Sequence, residues 1–124
     1  MSADFVASEM FPAELSTPAA ARRFVVESLR AAGVPVADAL PVVVSELVTN
    51  SVLHAASKAR IQVLVEASRV RVEVYDSDPT LPVPRNPGPD TVTGRGLMLV
   101  DALTDRWGSA PTDDGKVVWF ELDR

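Results

Sequence analysis

The spacing of apolar positions changes period along the chain. Within "FPAELSTPAAARRFVVESLRAAG", Phe24, Val25, Leu29 and Ala32 recur at helical intervals, with Thr17 as N-cap, Pro18 at the first helical position and Gly33 just past the end. This predicts an amphipathic helix preceded by an extended segment over residues 1–14. "PVADALPVVVSELVTNSVLHAA" predicts a second helix, capped by Asp38 and with Pro41 in its first turn, where a missing N–H does no harm. After Lys58 the period drops to two: "RIQVLVEA" and "RVRVEVYD" place Ile61, Val63, Val65 and then Val70, Val72, Val74 on one face, as in two strands of a hairpin turning near Ser68.

Pro79 to Pro89 holds five of the ten prolines, too many for a helix or an interior strand, and reads as a stiff loop. "GRGLMLVDALTD" opens a third helix, "RWGSA" is a short strand, "PTDDG" a turn and "KVVWFEL" a closing strand. Helical and strand patterns come in blocks, which favours an α+β arrangement: helices on one face of a mixed or antiparallel sheet. Trp107, Trp119, Phe11, Phe24 and Phe120 are expected in the core, because a small domain with few aromatics needs them inside.

Composition narrows the class. The 124 residues are 47% hydrophobic, enough for one domain with a full core. Cysteine is absent, so a disulfide framework and a thiolate metal cluster are excluded, and a reducing cytoplasm is the expected compartment. "MSADFVASEM" has acids where a signal peptide has a basic start, and no run approaches the roughly 18 apolar residues of a membrane span. With 17 Asp and Glu against 12 Lys and Arg and no basic cluster, the chain offers little attraction to a polyanion, so neither nucleic acid nor membrane is an expected partner.

The second helix carries the first chemical signal. Val42, Val43, Val44, Leu47, Val48, Val52 and Leu53 leave almost no side of it for water, yet Glu46, Asn50 and His54 stack at intervals of four along one edge. A desolvated carboxylate needs a cation or a hydrogen-bonding ligand, so this edge either lines a cavity that something polar enters or pairs with one of the basic residues. His54, near the helix C-terminus, also suits the last free carbonyls. Asp76 stands where a strand leaves the sheet, a common place for a ligand-reading residue. In "TGRGLMLV", Gly94 and Gly96 flank Arg95 just ahead of a helix, an arrangement that presents backbone N–H groups and the positive end of the helix dipole to an anion.

In this order and spacing, "ELVTNSVLH", a strand ending in "DSDP", "GRGL" before a helix and "GKVVWFEL" resemble the histidine-kinase-like (GHKL) ATPase superfamily, and more narrowly its small stand-alone members akin to anti-sigma-factor serine kinases. The resemblance runs from about the first helix to the C-terminus. It implies a two-layer α/β sandwich of the Bergerat ATP-binding type, three helices over a mixed, mostly antiparallel sheet, with ATP and Mg²⁺ as ligands and residues 79–93 as a short lid. By the same resemblance Glu46 is the catalytic base, Asn50 a Mg²⁺ ligand through its side-chain oxygen, Asp76 the acceptor for the adenine amino group, and Gly94, Arg95, Gly96 and Leu97 the glycine box whose amides meet the phosphates. Three positions depart from the family pattern: Asp78 where a glycine or small residue is usual, Val117 where threonine is frequent, and a proline-rich rather than glycine-rich lid.

The implied activity is ATP-dependent phosphorylation of a partner's serine or threonine, with a sigma factor and an anti-anti-sigma (STAS-type) protein as partners and a homodimer as the implied assembly. From a different class comes the reading that Asp78 and Val117 favour: a protein-interaction module gated by nucleotide, or even free of it, with little or no chemistry. A purely structural domain with an internally paired polar stripe is a third reading.

Overall fold

The structure, a computed structural model, describes residues 4–80 and 92–124. Its elements run β1 (Asp4–Phe11), α1 (Thr17–Ala31), α2 (Ala39–Thr49), a π-helical turn (Asn50–His54), β2 (Ala59–Val65), β3 (Arg69–Asp76), α3 (Val92–Leu103), β4 (Arg106–Thr112) and β5 (Gly115–Asp123). The strands form one sheet in the order β1-β2-β3-β5-β4, and every neighbouring pair is antiparallel. The alternative of a mixed sheet is thereby settled in favour of an antiparallel one, and the helices pack as a second layer, an α+β sandwich.

The core lies between the layers. Ile61 and Val63 of β2, Val72 and Val74 of β3 and Phe120 of β5 face Val25 and Leu29 of α1 and Val43, Val44 and Val48 of α2, all of them closed to solvent. The period-two pattern of β2 and β3 appears directly in their burial. The extended N-terminal segment is a full edge strand, registered from Asp4 opposite Val65 to Phe11 opposite Ala59, with a bulge between Phe5 and Ala7. At the other edge β4 takes in Pro111 and Thr112, which had read as part of the turn. An edge strand tolerates a proline because one row of its amides has no partner to lose. The β4–β5 turn is therefore only Asp113 and Asp114.

Several helix boundaries differ from expectation. Thr17 is the first helical residue rather than the cap; its hydroxyl donates to the Pro12 carbonyl at 2.7 Å, and Ser16 precedes the helix. Ala32 is exposed and Ala21 takes its place on the buried face, since α1 ends at Ala31 and the chain turns away through Gly33 at φ 74°. Asp38 does precede α2, but its side chain makes no capping hydrogen bond. Val42 of α2 and Leu53 of the π turn are 42% and 37% exposed, so the segment is not buried all round: the buried stripe of α2 is Leu40, Val43, Val44, Leu47 and Val48. Of the aromatics, Phe120 and Phe11 are core residues and Phe24 packs edge-on against Phe11 at 5.6 Å. Trp107, opposite Phe120 in the sheet, packs half-buried against the core and donates to Asp101. Trp119 corrects the expectation: it lies on the helix-free face of the sheet under Arg71, whose guanidinium sits 4.1 Å above its ring.

Candidate functional site

Glu46 and Asn50 lie one α-helical turn apart along the border of the buried stripe of α2, both half-buried. The hydrogen-bonding pattern then widens. Ala55 N–H donates to Asn50 O at 3.0 Å, closing a π turn over Asn50–His54. A π turn advances about 4.4 residues per revolution instead of 3.6, which rotates everything beyond it relative to an α-helix. One consequence follows for the polar stripe, that His54 drops out of line and is exposed; Ser51, four residues after Leu47 and three after Val48, continues the buried stripe at 3% exposed. Asn50 is thus the last member of the stripe, at the point where the helix changes pitch.

Ser51 links this helix to the end of β3. Its hydroxyl donates to Asp76 Oδ2 at 2.6 Å. The other carboxylate oxygen of Asp76 accepts from the Asp78 N–H at 3.0 Å and from Lys116 Nζ at 3.0 Å. Lys116 also donates to the Asp78 carbonyl at 3.2 Å. The ion pair is buried: the Asp76 side chain is 0% and that of Lys116 9% exposed. Beside it, the Ser57 hydroxyl accepts from Ser77 N–H at 2.9 Å and lies 2.8 Å from the Ser77 hydroxyl, pinning the segment after the π turn to the exit of β3.

Why Lys116 reaches Asp76 follows from register. The two residues are direct partners across β3 and β5, and alternation puts Lys116 on the same face as Val118, Phe120 and Leu122, toward the helices. Val117, by contrast, pairs with Tyr75 and shares the opposite face. The departure expected at Val117 is therefore not at this site, and the residue that matters on the closing strand is Lys116. Gly115 lets the two strands meet here: a Cβ at that position would lie 2.1 Å from the Asp76 carbonyl oxygen.

Asp78 does not add a second carboxylate to the pocket of Asp76. Its side chain bends forward to accept from Thr80 N–H at 2.9 Å, and that bond, with Lys116 nearby, holds the carboxyl below its usual range. It is a turn residue closing the exit of β3.

The glycine box differs from expectation in its local structure. α3 begins at Val92, so Gly94, Arg95 and Gly96 lie inside its first turns rather than in a loop ahead of it. Helix geometry leaves the first four N–H groups, those of Val92 to Arg95, without helical acceptors. The Leu97 side chain is fully buried. The lid expected over 79–93 falls, from residue 81 to 91, outside the described residues.

Among the described residues, no group of three His, Cys, Asp or Glu side chains is arranged to hold a metal. A divalent ion beside Asn50 would have to draw its remaining oxygens from phosphate and water, which suits Mg²⁺. Lys116 already holds one oxygen of Asp76. An open groove of about 640 Å³ is lined by Ser57, Arg60, Tyr75, Asp76, Asp113 and Asp114, and neither Glu46 nor Asn50 lines it.

Sequence reasoning did not find Ser51, the Ser57–Ser77 clamp or Lys116. For Lys116 a signal existed: a lone charge at an inward position of a strand otherwise reading Val118, Phe120, Leu122 demands a buried counter-charge.

Comparison with known proteins places these residues in a family context. The model of the histidine kinase-like ATPase domain matches residues 11–122, nearly the whole chain. An uncharacterised protein of Streptomyces coelicolor is 43% identical over 61 residues, a stretch covering 47% of this chain and 57% of that protein. No helix among the described residues is long and apolar enough to cross a membrane.

Proposed function

The chain belongs to the histidine kinase-like ATPase domain family, and from that premise we propose that it is an ATP-binding regulatory protein that phosphorylates a serine or threonine of a partner protein, in the manner of a partner-switching anti-sigma factor. The observation that carries this reading is the placement of Glu46 and Asn50, half-buried and one turn apart, directly before Ser51, which ties their helix to Asp76.

Bound Mg²⁺ and ATP supply the phosphoryl group and the neutralisation of its charge. Asn50 would offer its side-chain oxygen to the ion, Glu46 would take the proton from the partner's hydroxyl, and Asp76 would accept from the exocyclic amine of adenine. The amides at the start of α3, which helix geometry leaves without helical acceptors, suit phosphate oxygens. The partners would be a sigma factor or an anti-anti-sigma (STAS-type) protein, the setting cytoplasmic and the assembly a homodimer. A second reading, a nucleotide-gated interaction module with weak or no transfer, is favoured by the Lys116–Asp76 pair, which already occupies the carboxylate meant for the base.

A thermal-shift series with ATP and Mg²⁺ tests the proposal, since a ligand that binds only the native state raises Tm. Glu46→Gln should keep the shift and abolish phosphotransfer to the partner. Absence of any shift at millimolar ATP would remove both readings. Transfer by Glu46→Gln at the wild-type rate would remove Glu46 as base.

A further inference from the structure

The buried pair between Asp76 and Lys116 leads beyond the family assignment, and resting on the proposed role of Asp76 in reading the base, we infer that Lys116 is an internal competitor for that carboxylate which sets both nucleotide affinity and base selectivity. Three observations support it. Asp76 makes three hydrogen bonds within the protein, from Ser51, Asp78 N–H and Lys116, and its side chain is 0% exposed. Of the two side chains only that of Lys116 retains any exposure, 9%, so the carboxylate is closed off by the groups bonded to it. Finally, Lys116 bonds to the Asp78 carbonyl as well, so it spans the β3 exit rather than resting on one oxygen.

The chemistry is specific. Adenine brings an amino donor to Asp76, in competition with an ammonium that is a charged donor to the same oxygen. Guanine brings a carbonyl at the corresponding place, which a carboxylate repels and an ammonium accepts. A lysine beside the aspartate therefore weakens ATP binding and narrows the preference for ATP over GTP. A binding-competent form that makes up about a tenth of the population lowers apparent affinity about tenfold.

Lys116→Met, close in length and without charge, tests this by titration calorimetry of the full chain with Mg²⁺ and ATP or GTP, alongside wild type, Lys116→Gln and Asp76→Asn. The expected result is ATP binding about tenfold tighter in Lys116→Met, with the ATP-to-GTP ratio widened and Lys116→Gln between the two. A merely structural lysine would leave that ratio unchanged. Circular dichroism establishes that each variant is folded, and Lys116→Gln, which keeps a donor for Asp76, carries the test if Lys116→Met does not fold. Equal or weaker ATP binding in the lysine variants, with wild type binding ATP and Asp76→Asn losing it, overturns this inference and leaves the ATP reading standing. Failure of the folded wild type and of every variant to bind ATP overturns the ATP reading, and this inference with it.

Discussion

Replacing Gly115 by alanine should destabilise the protein out of proportion to the single methyl group added. The new Cβ would lie 2.1 Å from Asp76 O, 2.6 Å from Ser77 Cα and 2.7 Å from Ser77 C, whereas ordinary contact begins near 3.4 Å. All three atoms are backbone, so no side chain can swing aside; β3 and β5 must separate by about 1 Å where Asp76 and Lys116 face each other. Overpacking alone costs about 1–3 kcal/mol. Opening the buried pair adds part of the roughly 3–5 kcal/mol that loss of one partner would cost. A total of about 2–5 kcal/mol is a large share of the roughly 5–15 kcal/mol that holds a domain of this size together. Thermal and urea unfolding in one buffer provide the assay, with Gly108→Ala as control. There the Cβ would meet Trp119 Cζ2 at 2.7 Å, but that ring lies on the open face and can tilt, so the cost should stay near 1 kcal/mol. A Gly115→Ala variant within about 0.5 kcal/mol of wild type, or less destabilised than Gly108→Ala, would refute the reasoning.

Other outcomes follow from the same geometry. Ser51→Ala removes a 2.6 Å bond to a buried carboxylate and should cost about 1.5–3 kcal/mol in urea unfolding; an unchanged midpoint would show that Asp76 does not depend on it. Gly33→Ala, at φ 74°, should cost about 1–2 kcal/mol although nothing lies within 4 Å of the new methyl, which isolates backbone strain from packing. Burial pushes the Glu121 carboxyl up, but hydrogen bonds from Arg106, Arg71 and Arg69 outweigh it and hold the group below its usual range. A carboxyl lowered in the folded state contributes stability that is present above its unfolded pKa of about 4.3 and lost as pH falls through the folded value. Glu121→Gln should therefore flatten the acid side of a stability profile from pH 7 to 3, and a profile parallel to wild type would contradict the arginine cluster.

The elements that were legible in the sequence are those whose pattern has one reading. Ile61, Val63, Val72 and Val74 could alternate only as half-buried strands, and the structure buries them. Less legible were features set by tertiary pairing. The N-terminal segment shows no period of its own and becomes a strand because β2 offers an edge. The departure of His54 from the polar stripe comes from a π turn, for which the residues Asn50–His54 carry no propensity that separates it from α-helix. At the site, Glu46 and Asn50 were visible as a polar border on an apolar helix. The partner of Asp76 was not, because Lys116 is 40 residues away and meets it only through the β3–β5 register.

The central claim, that this helix border and the end of β3 form one nucleotide site, is tested most directly by calorimetric titration of wild type and the double variant Asn50→Ala, Asp76→Ala with Mg²⁺ and ATP. Saturable binding by wild type, and its loss in a double variant that remains folded, is the expected result. Equal binding by the two proteins would contradict the assignment, as would the absence of binding by wild type at millimolar ATP.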